Sequence, residues 1–178
     1  MAIFPNWIYD GTGVIGFADY AAVQAADQRV FEANEGLTEE VIEDLTIRST
    51  QRILYQIGNS DWWRTYYVRM SGGNTALFNV SLGLLPIPNP NPNKIIERTA
   101  DFTDLCVYYA LSYYIYPKIA DFNNQENAER VKIGFFNEKY RSLFQELLDD
   151  GSWYDWAGEG FVSDAEKMPV RSNVIRVR

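Results

Sequence analysis

Apolar residues recur along this chain with more than one period, and each period predicts an element. Over residues 39–58, Val41, Ile42, Leu45, Ser49, Ile53 and Ile57 fall at helical spacing. Thr38 stands at the N-cap, Glu39 and Glu40 lie in the first turn where the helix dipole favours anions, and Arg48 and Arg52 lie toward the other end. Gly58 suits the position just past the helix. An alanine-rich run over about 19–31 predicts a thinner helix, with Asp19 as N-cap and Ala18, Ala21, Ala22, Ala25 and Ala26 permitting close approach. Two further helices are predicted over 99–116 and 124–149, separated by Pro117 and the polar stretch 121–124. The first has a stripe of Phe102, Leu105, Cys106, Tyr109, Tyr113 and Tyr116. The second has Val131, Phe135, Phe136, Tyr140, Leu143, Phe144, Leu147 and Leu148.

Between residues 61 and 82 the pattern changes. Arg64–Met70 and Thr75–Leu82 are rich in Tyr, Val, Phe and Thr, and Ser71-Gly-Gly-Asn74 joins them with residues that tolerate positive φ, so a β-hairpin is expected. Pro86-Ile-Pro-Asn-Pro-Asn-Pro92 reads as a stiff, extended spacer over about 86–93. After Gly151 the periodicity ends, and Trp153, Tyr154, Trp156 and Phe161 predict an irregular, aromatic-rich segment packed on the core. The expected fold is mainly α: a small helical bundle of about four helices with an inserted β-hairpin and an extended C-terminal arm. Residues 1–164 form one helical domain in this reading, with the hairpin inserted at about 64–82, and residues 165–178 form the arm.

Composition narrows the chemistry. Among 178 residues there is no histidine and one cysteine. Relays of the Ser-His-Asp or Cys-His kind and His-ligated metals are therefore excluded. Cys106 lies in an apolar run and reads as a small buried hydrophobe. The start, Met1-Ala-Ile-Phe-Pro-Asn6, lacks the cationic and apolar regions of a signal peptide, and the longest apolar stretch, Leu105–Tyr116, is about half a bilayer span. A soluble, non-secreted protein without a membrane partner is expected. The net charge of −8 argues against a phosphate-gripping surface. That charge is also segregated. Residues 165–178 carry Lys167, Arg171, Arg176 and Arg178 against Glu166 alone, a net +3, leaving −11 on residues 1–164.

Several local patterns invite a chemical reading. Gly11-Thr-Gly-Val-Ile-Gly16 matches the dinucleotide-binding fingerprint letter for letter, and Glu32 or Glu35 stands where a ribose-binding acid would. Asp10, however, puts a negative charge beside the proposed phosphate, and the following segments read as helices, so a plain glycine turn is expected and no cofactor is assigned. Glu39/Glu43 and Glu40/Asp44 are i,i+4 acid pairs able in principle to gather Mg²⁺ or Ca²⁺; they read as a solvated helix face. Asp149-Asp150-Gly-Ser-Trp-Tyr-Asp155 lacks the ligand spacing of an EF-hand and is given only the role of ending a helix. Asn79-Val-Ser81 is a glycosylation triplet without consequence in a non-secreted chain. The Tyr and Trp clusters fit a core, a stacking surface or a protein interface. In the arm, Val170, Val174, Ile175 and Val177 interleave with the cations, a pattern suited to an extended peptide in a partner's groove or on its sheet edge.

The order of elements, with Leu37-Thr-Glu-Glu-Val-Ile-Glu-Asp-Leu45 opening one helix and Asn137-Glu-Lys-Tyr-Arg-Ser-Leu-Phe-Gln-Glu-Leu-Leu148 closing the last, resembles the head–tail adaptor or head-completion proteins of tailed bacteriophages. The resemblance covers roughly residues 18–150 plus the arm, at the level of architecture and helix pattern. It implies a non-enzymatic structural protein of the virion neck, forming a ring of about a dozen copies beneath the portal. Its partners would be the portal, neighbouring copies and the next neck or tail protein, with DNA passing through unbound. The resemblance further implies that Arg171, Arg176 and Arg178 supply charge contacts to the portal and that Val174 and Ile175 are apolar anchors. Gly72 and Gly73, at the expected hairpin tip, would touch a neighbouring ring or the next neck protein. A stopper or tail-completion role remains an alternative, as does a small nucleotide- or carboxylate-dependent enzyme centred on Gly11–Gly16.

Overall fold

A helix that is apolar on nearly every side must be covered on nearly every side. Residues 99–110 are such a helix: Phe102, Thr103, Leu105, Cys106, Val107, Tyr109 and Ala110 are all buried. The computed structural model of the protein describes residues 4–33, 36–70, 87–120 and 128–167. The described residues are mainly helical with a small antiparallel hairpin at residues 8–16, in keeping with the class the sequence predicts. In chain order the described elements are β1 (Ile8–Tyr9), β2 (Val14–Gly16), α1 (Tyr20–Ala26), α2 (Gln28–Ala33), α3 (Glu39–Gly58), α4 (Asp61–Met70), a 3₁₀ turn (Pro92–Lys94), α5 (Thr99–Ala110), a π-helical turn (Leu111–Ile115), α6 (Tyr116–Ile119) and α7 (Ala128–Asp150). They fall into two compact units, residues 1–53 with 98–144, and residues 54–97 with 145–178.

In the first unit, small polar residues let elements approach α5 closely. Cys106 lies against α3, its thiol donating to the Thr46 carbonyl at 3.3 Å and lying 3.5 Å from Thr50 Oγ1. Thr50 Oγ1 also accepts the Phe17 amide at 2.9 Å. Phe17 continues the core into Phe102, with ring centroids 5.4 Å apart, and Trp7 donates its indole N–H to Thr103 at 2.9 Å. Helix α5 also meets α7, through Tyr109 and Tyr140, 5.1 Å apart, and through Tyr108 and Phe136, 5.8 Å apart. The cysteine is the buried hydrophobe expected, and desolvation pushes its thiol up to about 12.

Two boundaries and the burial of one helix edge differ from the sequence reading in this unit. Asp19 caps α1 as expected, accepting from the Ala22 amide at 2.8 Å, but the helix breaks at Asp27, whose carboxylate is held by Tyr116 and Lys132. Pro117 does not end its helix. The preceding turn widens, so that the Tyr116 amide bonds to the Leu111 carbonyl, five residues back, and the helical path runs on to Ile119. Val131 and Phe135, placed in the core stripe of α7, are 67% and 51% exposed.

The second unit is built on aromatic rings. Residues 64–70, expected as a strand, form most of helix α4. Ser60 Oγ accepts the Trp63 amide at 3.1 Å and Asp61 lies in the first turn, a helix start that outweighs the β propensity of Tyr66, Tyr67 and Val68. Helical spacing puts Trp62, Trp63 and Tyr66 on one buried face. Trp62 meets Trp153 at 5.1 Å and Trp63 meets Tyr154 edge-on at 5.0 Å. The segment after Gly151 is irregular, as expected, and Trp153 is its anchor, fully buried with its indole donating to the Leu147 carbonyl at 2.8 Å.

The proline-rich stretch is packed rather than free. The Pro88 carbonyl accepts from Trp63 Nε1 at 2.8 Å, and the stretch closes in the Pro92–Lys94 3₁₀ turn, capped by Asn91, instead of staying extended to its end. Ile95 then pairs with Tyr154 as an antiparallel bridge. Gly58 is the last residue of α3, not the residue after it. A Cβ there would collide with the Asn89 side chain, so glycine serves close approach. The second arm of the expected hairpin, residues 75–82, and the polar connection 121–124 lie outside the described residues.

Burying a Trp side chain of about 200 Å² contributes roughly 5 kcal/mol of transfer free energy. Trp63→Ala should therefore destabilise the protein by about 3–5 kcal/mol, read as a lowered midpoint in urea unfolding; a change under about 1 kcal/mol would show that this aromatic cluster is not the core of its unit.

Candidate functional site

The residues singled out for partner contact, Gly72, Gly73, Arg171, Val174, Ile175, Arg176 and Arg178, all lie outside the described residues, as does the Asn79–Ser81 triplet. The remaining candidates can be placed one by one.

The glycine turn is the connection of a β-hairpin. Residues 8–16 form the antiparallel pair β1–β2, with Ile8 opposite Gly16 and Tyr9 opposite Val14. Asp10 Oδ1 accepts from the Thr12 amide at 2.7 Å, the Gly13 amide at 2.8 Å and the Thr12 hydroxyl at 2.6 Å. These are amides a phosphate would need, and they are taken by a carboxylate whose pKa the same bonds lower. Gly16 ends a strand; α1 begins four residues later under its own cap, Asp19. The acid face of α3 is solvated: Glu39, Glu40 and Asp44 are exposed, and Asp44 pairs with Arg48 at 2.9 Å. Among the described residues no group of three or more potential metal ligands is gathered.

Three carboxylates to which the sequence reading gave no binding role do more, Asp27 half-buried and Asp155 and Glu166 buried. Asp27, at the break between α1 and α2, accepts from both the Tyr116 hydroxyl and the Lys132 ammonium. Burial alone would raise its pKa, but the bonds from Lys132 and Tyr116 and the charge of Lys132 together hold it below the usual range. The Tyr116 hydroxyl is pushed the other way by burial and by Asp27.

Asp155 and Glu166 organise the irregular segment. Asp155 accepts from the amides of Gly158, Glu159 and Gly160 at 2.6, 3.1 and 2.7 Å. Gly158 and Gly160 reach this arrangement through φ of +80° and +86°. Glu166 accepts from the Ala157 and Ser163 amides at 2.6 and 2.9 Å and from the Ser163 hydroxyl at 2.7 Å. Burial opposes ionisation of Glu166, and the bonds from Ser163, Ala157 and Trp156 outweigh it, so its pKa is lowered. Nearby, the fully buried Tyr66 hydroxyl has no hydrogen-bond partner among the described residues, and burial, then the charge of Glu166, raises its pKa. The readable signal for this loop was Asp155-Trp-Ala-Gly-Glu-Gly160, an acid followed by glycines, the composition of a carboxylate-centred turn.

What stands open is a helix face. On α7, Val131 and Phe135 are exposed one turn apart, and the Lys139 ammonium lies 4.7 Å from the Phe135 ring centre and 5.3 Å from that of Tyr108. Tyr113, 41% exposed because the π-helical turn rotates it outward, accepts from Asn137 Nδ2 at 3.1 Å. On α3, Val41 is exposed between Glu40 and Asp44. No family model matches the chain, and neither a curated protein nor a solved structure matches it.

The carboxylates give a pH dependence of definite sign. Groups whose pKa is lowered on folding contribute stability that is present above the unfolded value near 4 and lost as pH falls through the folded value. Asp27→Asn should cost about 1–3 kcal/mol near pH 7 and progressively less below about pH 4, read by urea unfolding across pH 2–7. A difference from wild type that stays constant with pH would mean that Asp27 is not held as the anion.

Proposed function

We propose that this protein is a structural component of a tailed-phage neck: a head-to-tail adaptor that forms a ring beneath the portal, anchors through its C-terminal arm, and offers a DNA channel and a docking platform to the next neck or tail protein. The observation that carries the reading is the division of the chain into an acidic helical body and a short basic arm. The described carboxylates of the body serve its own architecture, in turns, caps and loop centres, or stand on solvated helix faces. A ring of about a dozen such chains would carry on the order of −100 formal charges, so DNA would pass without being gripped. The arm, with net +3 and interleaved valine and isoleucine, suits an extended contact with a protein partner. Arg171, Arg176 and Arg178 supply its charge and Val174 and Ile175 its anchors, while Gly72 and Gly73 are assigned to a neighbouring ring or the next neck protein. The place of action in this reading is the virion neck, between capsid and tail.

Deleting residues 169–178 should leave a body with unchanged helical circular dichroism that no longer joins portal-bearing heads in a sedimentation assay. Joining at the wild-type level would remove the arm from the proposal.

A further inference from the structure

We propose that the second unit holds an internal water molecule that bridges the buried hydroxyl of Tyr66 on α4 to the carboxylates of Glu166 and Asp155, so that α4 is tied to the irregular loop by solvent as well as by rings. The inference stands apart from the neck reading and takes nothing from it.

The Tyr66 ring has the neighbours a core ring needs. It stacks on Trp62 at 5.2 Å and meets Trp156 and Tyr154 edge-on at 5.3 and 6.3 Å. Its hydroxyl is fully buried and has no partner among the described residues. An unpaired phenol forfeits the bonds it makes to water in the unfolded chain, whereas phenylalanine would fill the same ring position at no such cost.

The surroundings of that hydroxyl are rich in acceptors. Trp156 and Tyr154 flank Asp155 in the chain, and Trp156 precedes Ala157, whose amide Glu166 Oε1 accepts at 2.6 Å. Burial raises the pKa of the phenol, and the negative charge of Glu166, then Tyr154 and Asp155, raises it further. Both carboxylates therefore lie within electrostatic reach of the phenol oxygen without bonding it directly. Asp155 Oδ2 accepts one amide, that of Gly160 at 2.7 Å, and a carboxylate oxygen has sites for about two such bonds. A donor that faces acidic oxygens beyond direct reach is the setting in which a buried water makes its usual three or so bonds. The phenol O–H donates to the water oxygen, and the two water hydrogens go to the carboxylates. A divalent cation fits less well, because it takes about six or more oxygen ligands and these carboxylates already accept backbone amides. The bridge also steadies the loop, since the same two carboxylates hold the amides of residues 157–160 and 163.

Oxygen-17 magnetic relaxation dispersion of the full chain counts such a molecule directly, because a buried water tumbles with the protein before it exchanges. Tyr66→Phe should remove an amplitude of about one water, while Phe161→Ala, exposed on the same loop, should leave it in place. Tyr66→Phe should also raise the unfolding equilibrium constant in urea about fivefold and speed hydrogen exchange of the amides of residues 157–160 about threefold or more. An amplitude that Tyr66→Phe leaves unchanged would overturn the proposal. So would an unfolding constant that falls on this substitution, the mark of a hydroxyl buried without any partner.

Discussion

The close approach of α3 to α5 is the constraint on which the first unit rests. Cys106 sits among Thr46, Thr50 and Phe17, where a larger side chain would separate the two helices. The hydroxyl of Thr50 is shared between the cysteine sulfur and the Phe17 amide, tying the end of the N-terminal hairpin to the same point. Where α3 and the Phe17 segment meet α5 through small residues, α7 meets it with rings, Phe136 and Tyr140. The helix is thus approached closely by α3 and held at ring width from α7. The π-helical turn that follows α5 belongs to the same solution: it rotates Tyr113 out of the stripe, stacked on Tyr109 at 4.4 Å, and returns Tyr116 to the interior, where its ring stacks on Phe136.

Acidity has a structural meaning in this fold beyond its long-range field. Asp10, Asp19, Asp155 and Glu166 each accept backbone amides that their turns or helix ends would otherwise leave without partners. Asp27 does the equivalent with side chains from two other helices. A short carboxylate is suited to these positions because it accepts several bonds at once and has little rotamer entropy to lose. The negative balance of the body therefore arises partly from local folding rules, and the charge left free to act on partners is concentrated on outer faces such as that of α3.

Much of the helical layout was legible in the sequence because capping and periodicity agree there. Asp19, Glu39, Glu40 and the stripe Ile42-Leu45-Ser49-Ile53 all specify the same elements that the chain forms. The misreadings have physical causes. Tyr66, Tyr67 and Val68 carry β propensity, but that propensity measures fit to a half-buried pleated surface, and here Trp62, Trp63 and Tyr66 find a better burial at helical spacing. Pro117 marks a helix end only when the turn before it is regular, and a widened turn accommodates it. The carboxylates at Asp27, Asp155 and Glu166 gave little warning, since their partners are amides and side chains brought together only by the fold. The glycine fingerprint was no misreading: its letters are present, but the sequence already showed Asp10 beside them, and in the fold Asp10 occupies the amides and a strand stands where a helix would have to begin.

The informative disagreement is at Val131 and Phe135. A single exposed apolar residue says little, because every protein surface is largely apolar by area. These two are different because the periodicity of α7 assigns them to a buried face, and the fold spends its covering helices elsewhere, on α5. The apolar stripe of α7 is thus only partly covered by the described residues: its inner edge, Phe136 and Tyr140, is buried, and its outer edge is exposed beside Lys139. Periodicity and burial disagree here by one edge of a helix, because the described elements that pack on α7 reach Phe136 and Tyr140 and go no further round it.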